Sequence, residues 1–353
     1  MYTGIMSIRA ADSAEIAQWD AKILANPDGG DSLQSEEFAT QKKRTGWTPR
    51  YLVNDETGVA VTVHEKHVFS LGRMWYIPKG PGVKTLVQLG DMLPPLRELA
   101  LKNDVFAIKV EPELMRTDET IHALKELGLV KVAPIQPYFS TILVDLSPSS
   151  DAIMASFDQK GRNAIRRAKR EGATVKQVDP TDENCTIFYN LLSETASNSF
   201  TIRSYDYFRQ FWQSYADAAI GQLFFTYYQD RVVAAAFAIT FGQKSLYKDG
   251  ASIRQKTVYG ASHLLQWHVM QWAKEKGSVV HDLGGCPPSD RIKDPTHPWY
   301  GVGLFKLGFS KNVVDYIGAF DLSVKPRHYK RWAKYGEKLA KRVWWYRHHE
   351  SWY

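Results

Sequence analysis

Six lysines and arginines stand between Lys160 and Arg170 in the stretch SFDQKGRNAIRRAKREGATV, with no acidic residue among them. At about 100° per residue, Phe157, Gly161, Ala164, Ile165 and Ala168 share one side of a helix. Lys160, Arg162, Arg166, Arg167, Lys169 and Arg170 share the other. Like charges at helical spacing (162/166, 166/169, 166/170 and 167/170) oppose such a helix by roughly 0.2–0.5 kcal/mol each. A merely solvated face usually interleaves glutamates, so the pattern points to an anionic ligand. The competing reading is a basic surface helix whose acidic partners come from elsewhere in the fold.

Two further stretches carry groups suited to chemistry. VGLFKLGF, residues 302–309, reads as a strand with Val302, Leu304 and Lys306 on one face. A lysine following two apolar neighbours onto a covered face needs an anionic partner; an edge-strand lysine is the plain alternative. LYKDGASIRQKTVYGASHLLQWHVMQWAKEKG reads as a strand running into a helix, whose free N-terminal N–H groups suit a phosphate or an acyl oxygen. Acetyl-CoA-dependent N-acyltransferases hold pyrophosphate with a Gln/Arg-x-x-Gly-x-Gly/Ala loop here. The matching run, Gln255–Gly260, has Val258 in place of the middle glycine, so coenzyme A is not expected. His281 and Asp282 are adjacent on a strand, point to opposite faces and form no dyad. The ten histidines show no metal-like spacing, so no metal is expected.

The elements that must position these groups alternate between strands and helices. In the first half, helices are expected near 10–25, over SLQSEEFATQKKRTG, over 84–102 with a kink or split at Pro94 and Pro95, and over 120–128. YLVND, GVAVTVHEKHV, GRMWYIPKGPGV, VFAIKVEPE and STILVDLS read as strands. The second half repeats that order. The cationic helix and the helices 183–197 and 204–217 precede strands GQLFFTYYQD, RVVAAAFAITFG and KSLYKDGAS, helix 261–277, strand VVHDLGG and strand VGLFKLGF. The turn-rich Leu146-Ser147-Pro148-Ser149 marks the boundary. Two α/β domains of like design in tandem, with mixed sheets and no long heptad segment, are the expected fold.

The 353 residues are 44% hydrophobic, enough for two ordinary cores and too apolar for a disordered chain. No apolar run reaches the roughly 18–20 residues of a membrane span, and the first residues lack a signal-peptide core. A cytoplasmic protein is therefore expected. Cys185 and Cys286 suggest neither a disulfide framework nor a zinc site. The net charge of +7 resides in residues 325–353, where nine lysines and arginines face two acids. Within that tail Trp332, Tyr335, Leu339, Val343 and Tyr346 recur at spacings of three and four, describing a basic amphipathic helix. Its stripe has three possible partners: the protein's own core, tRNA phosphates or an anionic membrane surface.

Taken together, KGRNAIRRAKREG, LYKDGAS, LLQWHVMQWAKEKGSVVHDLGG and GVGLFKLGFS resemble the FemABX family of non-ribosomal peptidyltransferases, with a weaker match at QSEEFATQKKRTGW. The motifs stand in family order from about 158 to 310, and the missing heptads make the chain similar to the short, armless FemX type. The resemblance implies two tandem GNAT-like domains, 1–146 with 316–353 and 147–315. It implies transfer of an amino acid from aminoacyl-tRNA to the peptide stem of a peptidoglycan precursor, UDP-MurNAc-pentapeptide or lipid II. No other cofactor is implied, and a monomer, with peripheral contact to the inner membrane face, is the expected state.

It further implies that Lys42, with Lys43 as neighbour alternative, and Arg203 bind the precursor diphosphate. Phe305 and Lys306 flank the reacting ester. Lys306 serves electrostatic stabilisation of the oxyanion or the tRNA 3′ end, since nothing in the sequence visibly lowers its pKa. Tyr247, Lys248 and Tyr259 are candidate contacts to the peptide stem, with core tyrosine the alternative. The cationic helix from Lys160 serves tRNA or precursor phosphates. Rival functions are a GNAT-type aminoacyltransferase acting on a protein or phospholipid, and a non-catalytic basic RNA-binding module.

Overall fold

The computed structural model describes residues 7–136, 139–196, 202–253, 255 and 258–353. The chain divides into two units, Met1–Phe139 with Tyr316–Tyr353, and Ser140–Asp315. Each is built on a seven-stranded mixed sheet. In the first the spatial order is Ile8–Ala10, Thr48–Asn54, Ala60–Val68, Gly72–Ile77, Val105–Val110, Phe320–Ser323 and Leu129–Lys131. In the second it is Thr174–Val178, Gly221–Tyr228, Arg231–Phe241, Lys244–Ser252, Val280–Gly285, Ser140–Asp145 and Val313–Asp315. In both, every neighbouring pair is antiparallel except the fourth with the fifth, which is parallel. A parallel pair needs a long crossover, and the helices Leu86–Lys102 and Ala261–Glu275 supply it. The expected repetition of design is thus present as strand order.

Strand alternation builds a core on each face of each sheet. In the first unit Trp75, Ile77 and Ile108 face helix Leu86–Lys102, while Met74, Tyr76 and Phe106 face Tyr329, Trp332, Trp352 and Tyr353 of the tail. In the second, Phe224, Ala234, Ala236 and Ala238 face helix Ala261–Glu275 and the cationic helix, while Leu223, Phe225, Ala235 and Phe237 face helices Asp182–Ala196 and Tyr205–Asp217. The longest helices of this unit, 15 residues each, pack on its sheet, so no coiled-coil arm is present among the described residues.

Three local expectations are corrected. Residues 10–25 form two short helices, Ser13–Ile16 and Trp19–Leu24. Helix Leu86–Lys102 runs through Pro94 and Pro95 without splitting; burial of Leu89, Met92, Leu93, Leu96 and Ala100 along one face outweighs the lost backbone bonds. VGLFKLGF is not a strand. Tyr300–Leu307 is a helix, which buries Gly303 and Lys306 one turn apart and leaves Val302 and Leu304 exposed.

Candidate active site

The helix correction changes what Lys306 can reach. Gly303 packs so closely that a Cβ would stand 2.9 Å from Pro287 and 3.0 Å from Ile292, which seats the helix low in the second unit. Lys306 is 6% exposed, and its Nζ donates to the Gly285 carbonyl at 2.6 Å. Burial lowers its pKa from the ordinary 10.5 to about 8, and the Asp282 carboxylate opposes that fall. The sequence offered no sign of this shift, because the apolar surroundings come from residues far away in the chain. Lys306 is thus protonated at neutral pH but holds its proton less tightly than a solvated lysine.

The receiving strand is shaped for that contact. Strands Lys244–Ser252 and Val280–Gly285 pair in parallel only through Lys244↔Val280, Ser245↔His281 and Leu246↔Asp282. Past this point they cease to pair, and the register with Ser140–Asp145 shifts between Asp282 and Gly285. The Asp282 carboxylate fixes the irregular turn, accepting the Gly284 N–H at 2.6 Å and the Thr141 hydroxyl, which also donates to the Gly284 carbonyl at 2.9 Å. Asp282 therefore presents the Gly285 carbonyl to Lys306. His281 points the other way, fully buried, with Nδ1 2.8 Å from the Ser245 hydroxyl and its pKa lowered by burial to about 3. The two side chains form no dyad. Cys286, its thiol pushed up by burial to about 12, is no nucleophile.

On the open side of the fork lie Tyr247 and Lys248. The Tyr247 ring passes over Gly250 so closely that a Cβ there would stand 1.5 Å from its hydroxyl oxygen, so any larger residue would push the ring aside. Lys248 pairs with Asp249 at 3.0 Å and sits 5.0 Å from the Phe211 ring. Phe305 is half-buried, edge-on to His263 at 4.8 Å and to Phe309 at 5.4 Å. Burial drops the His263 pKa to about 4, so a neutral imidazole stands beside Phe305.

The cationic helix spans Gln159–Arg170, capped by Asp158, and buries Gly161, Ala164, Ile165 and Ala168 as the spacing predicts. It is wedged between two backbones. A Cβ on Gly161 would stand 2.4 Å from the Gly308 carbonyl oxygen, and one on Gly260 2.2 Å from that of Ala164. Asp158 donates its N–H to the same Gly308 carbonyl at 3.0 Å, tying this helix to the end of the Lys306 helix. The six cations are not equivalent. Arg162 turns back to the carbonyls of Ala155 and Phe157. Arg167 pairs with Glu171 at 2.6 Å and lies 5.1 Å from the Tyr259 ring. Lys160, Arg166, Lys169 and Arg170 are exposed, with no acidic partner at salt-bridge distance among the described residues.

The chain as a whole resembles known proteins. The sequence profile of the FemAB family matches residues 122–227 and 221–335, more than half of the chain. The chain belongs to the FemAB family. FemAB-family relatives include a lipid II:glycine glycyltransferase of Staphylococcus epidermidis, 24% identical over 91% of this chain and 97% of the relative. One from Staphylococcus aureus is 24% identical over 92% and 97%. Among solved structures, FemX superposes with a TM-score of 0.77 at 21% identity, over 92% of this chain and 99% of that one. A tandem GNAT protein of clavulanic acid biosynthesis reaches 0.50 at 13% identity, over 91% and 98%. The FemAB fold here is thus a tandem GNAT fold.

The remaining positions expected to matter in this FemAB chain stand as follows. Lys42 is buried on helix Glu36–Arg44, its Nζ 5.3 Å from the Phe38 ring, and its charge adds to burial in lowering the pKa of His64. Lys43, the next residue, is exposed. Arg203 is half-buried, its guanidinium 4.4 Å from the Tyr207 ring. Tyr259 is 50% exposed and Val258 is a core side chain; residues 254, 256 and 257 of that loop lie outside the described residues. Sequence reading missed Thr141, Gly285 and His263, and weighed Asp282 only as a partner for His281. They lie some twenty to more than a hundred and sixty residues from Lys306 in the chain, and no local pattern singles them out.

Proposed function

We propose that this FemAB-family aminoacyltransferase moves an amino acid from aminoacyl-tRNA to an amine on the peptide stem of a peptidoglycan precursor, UDP-MurNAc-pentapeptide or lipid II. The observation that carries the reading is Lys306, a buried lysine of lowered pKa at the fork of the second sheet. The acceptor amine attacks the ester carbonyl carbon, the C–N bond forms, the C–O bond to the tRNA ribose breaks, and the proton lost by nitrogen goes to the departing ribose oxygen. Carboxylic esters of tRNA are already activated, so positioning and charge stabilisation supply most of what is needed. The Lys306 ammonium stabilises the oxyanion of the tetrahedral intermediate. A pKa near 8 also suits it to hand its proton to the leaving oxygen and take one from the amine. Phe305 and neutral His263 form the apolar wall that excludes water.

Lys160, Arg166, Lys169 and Arg170 meet phosphates of the tRNA or the precursor, and Lys43 and Arg203 offer a further phosphate ligand on each unit. Tyr247, Lys248 and Tyr259 contact the peptide stem. The names carried by the staphylococcal relatives support the acceptor class. Incubation with a full set of charged tRNAs and either precursor, followed by mass spectrometry of the acceptor, tests the reading. A gain of one aminoacyl residue is expected. Bound tRNA with unchanged precursor overturns it, as does label appearing only in protein or phospholipid.

A further inference from the structure

Of the tail's amphipathic stripe only Trp332 is buried, and the rest faces solvent. Tyr335 is 64% exposed, Leu339 62%, Val343 40% and Tyr346 83%, with Trp345 beside them at 48%. The opposite face docks the helix to its own sheet. Trp344 stands there with its ring 3.6 Å from the Lys66 ammonium, which Trp352 and Trp47 also surround at 4.2 and 5.0 Å. Glu337 accepts the Tyr353 hydroxyl at 2.8 Å and pairs with Lys341 at 3.0 Å. A π-turn at Trp332–Gly336 joins the segment Pro326–Arg331 to helix Glu337–His348. The outward surface is therefore rigidly presented.

We infer that this outward face of Glu337–His348 docks on an anionic phospholipid surface. Leu339, Val343 and Tyr346 form an apolar strip, rimmed on one side by Lys338 and Arg342 and on the other by Arg347. None of these three cations has an acidic partner at salt-bridge distance among the described residues. The charge selects the occupant. A second copy of the chain would bring cation against cation, since the tail holds nine basic residues and two acids. A nucleic acid would satisfy the cations and leave the aliphatic side chains wet between phosphates. A bilayer interface takes both, with aliphatic groups below the headgroups, aromatic rings at their level and cations against lipid phosphates. No helix of the described residues is long and apolar enough to cross the membrane, so the contact is peripheral.

Co-sedimentation of the full chain with phosphatidylcholine vesicles, with and without phosphatidylglycerol, tests this. The vesicles hold no precursor, so the outcome is independent of the transfer reaction. Binding roughly tenfold tighter to the anionic vesicles, weakened by salt, is expected. Leu339→Gln with Val343→Gln, both on the exposed face, should lower it roughly tenfold with circular dichroism unchanged, and Lys338→Gln with Arg342→Gln should remove its preference for phosphatidylglycerol. Equal binding to neutral vesicles, no binding to either, or full binding by the Leu339/Val343 variant overturns the inference. So does a loss of tRNA binding in these variants while vesicle binding stays intact.

Discussion

Replacing Lys306 by methionine should separate activity from stability. Burial moves the Lys306 pKa from 10.5 to about 8. At about 1.4 kcal/mol per unit, keeping the ammonium folded costs roughly 3 kcal/mol at pH 7. Methionine fills much the same volume without that cost, but it leaves the Gly285 carbonyl, now bonded at 2.6 Å, without its donor. An unsatisfied buried carbonyl costs about 1–3 kcal/mol, so at pH 7 the variant should be between equally stable and about 2 kcal/mol more stable. The sign of the pH dependence follows from proton counting. Between pH 8 and 10.5 the unfolded chain holds a proton that the folded chain has lost, so the wild type gains stability as pH rises through that window while the variant does not. Urea unfolding at pH 7.5 and 9.5 should show the variant's relative advantage shrinking by about 2 kcal/mol. Transfer should fall roughly 100- to 1,000-fold in kcat, the usual loss of an oxyanion donor. A variant destabilised by several kcal/mol at pH 7, or one with a pH-independent stability difference, would refute the burial argument. Unchanged turnover would remove Lys306 from the reaction.

Acid should unfold the second unit early. His281 and His263 have folded pKa values near 3 and 4, both lowered by burial, so below about pH 6.5 the unfolded state takes up protons that the folded state refuses. Lowering pH from 6.5 to 4.5 should cost on the order of 5 kcal/mol from the pair, and His263→Phe should remove about half of that slope in an acid titration followed by fluorescence. Neutralising Arg166, Lys169 and Arg170 to glutamine should lower the slope of log K against log salt for tRNA binding by about 2–3; an unaltered slope would make the cationic face a solvated surface. Gly161→Ala should destabilise by roughly 1–3 kcal/mol in thermal unfolding, because its methyl group meets the Gly308 carbonyl at 2.4 Å; an unchanged Tm would mean that the two helices part freely.

What the sequence revealed best was polarity contrast. The cationic helix declared its buried face to the residue, because six charges on one side leave only Gly161, Ala164, Ile165 and Ala168 for the other. The strands of the second sheet were also visible along the chain, since LFFTYY and VVAAAFAITF carry enough β-branched and aromatic residues between turns to mark strands buried on both faces. The segment around Lys306 lacked such contrast. Six largely apolar residues between Gly301 and Gly308 satisfy a strand or a helix equally, and packing of Gly303 against Pro287 and Ile292 favours the helix.

The environment of Lys306 was illegible for a different reason. A lowered lysine pKa is a property of what surrounds the ammonium, and the surroundings are Gly285 at the end of one strand, held by Asp282, itself held by Thr141 from a strand that the chain laid down earlier. Those residues meet only after the second sheet has closed with its parallel pair forking at Leu246↔Asp282. Sequence spacing can place a lysine on an element, but the desolvation that adjusts its proton affinity is supplied by long-range contacts. The catalytic capacity of Lys306 is therefore a tertiary property, which is why the resemblance pointed to the residue while its spacing misjudged both its helix and its acidity.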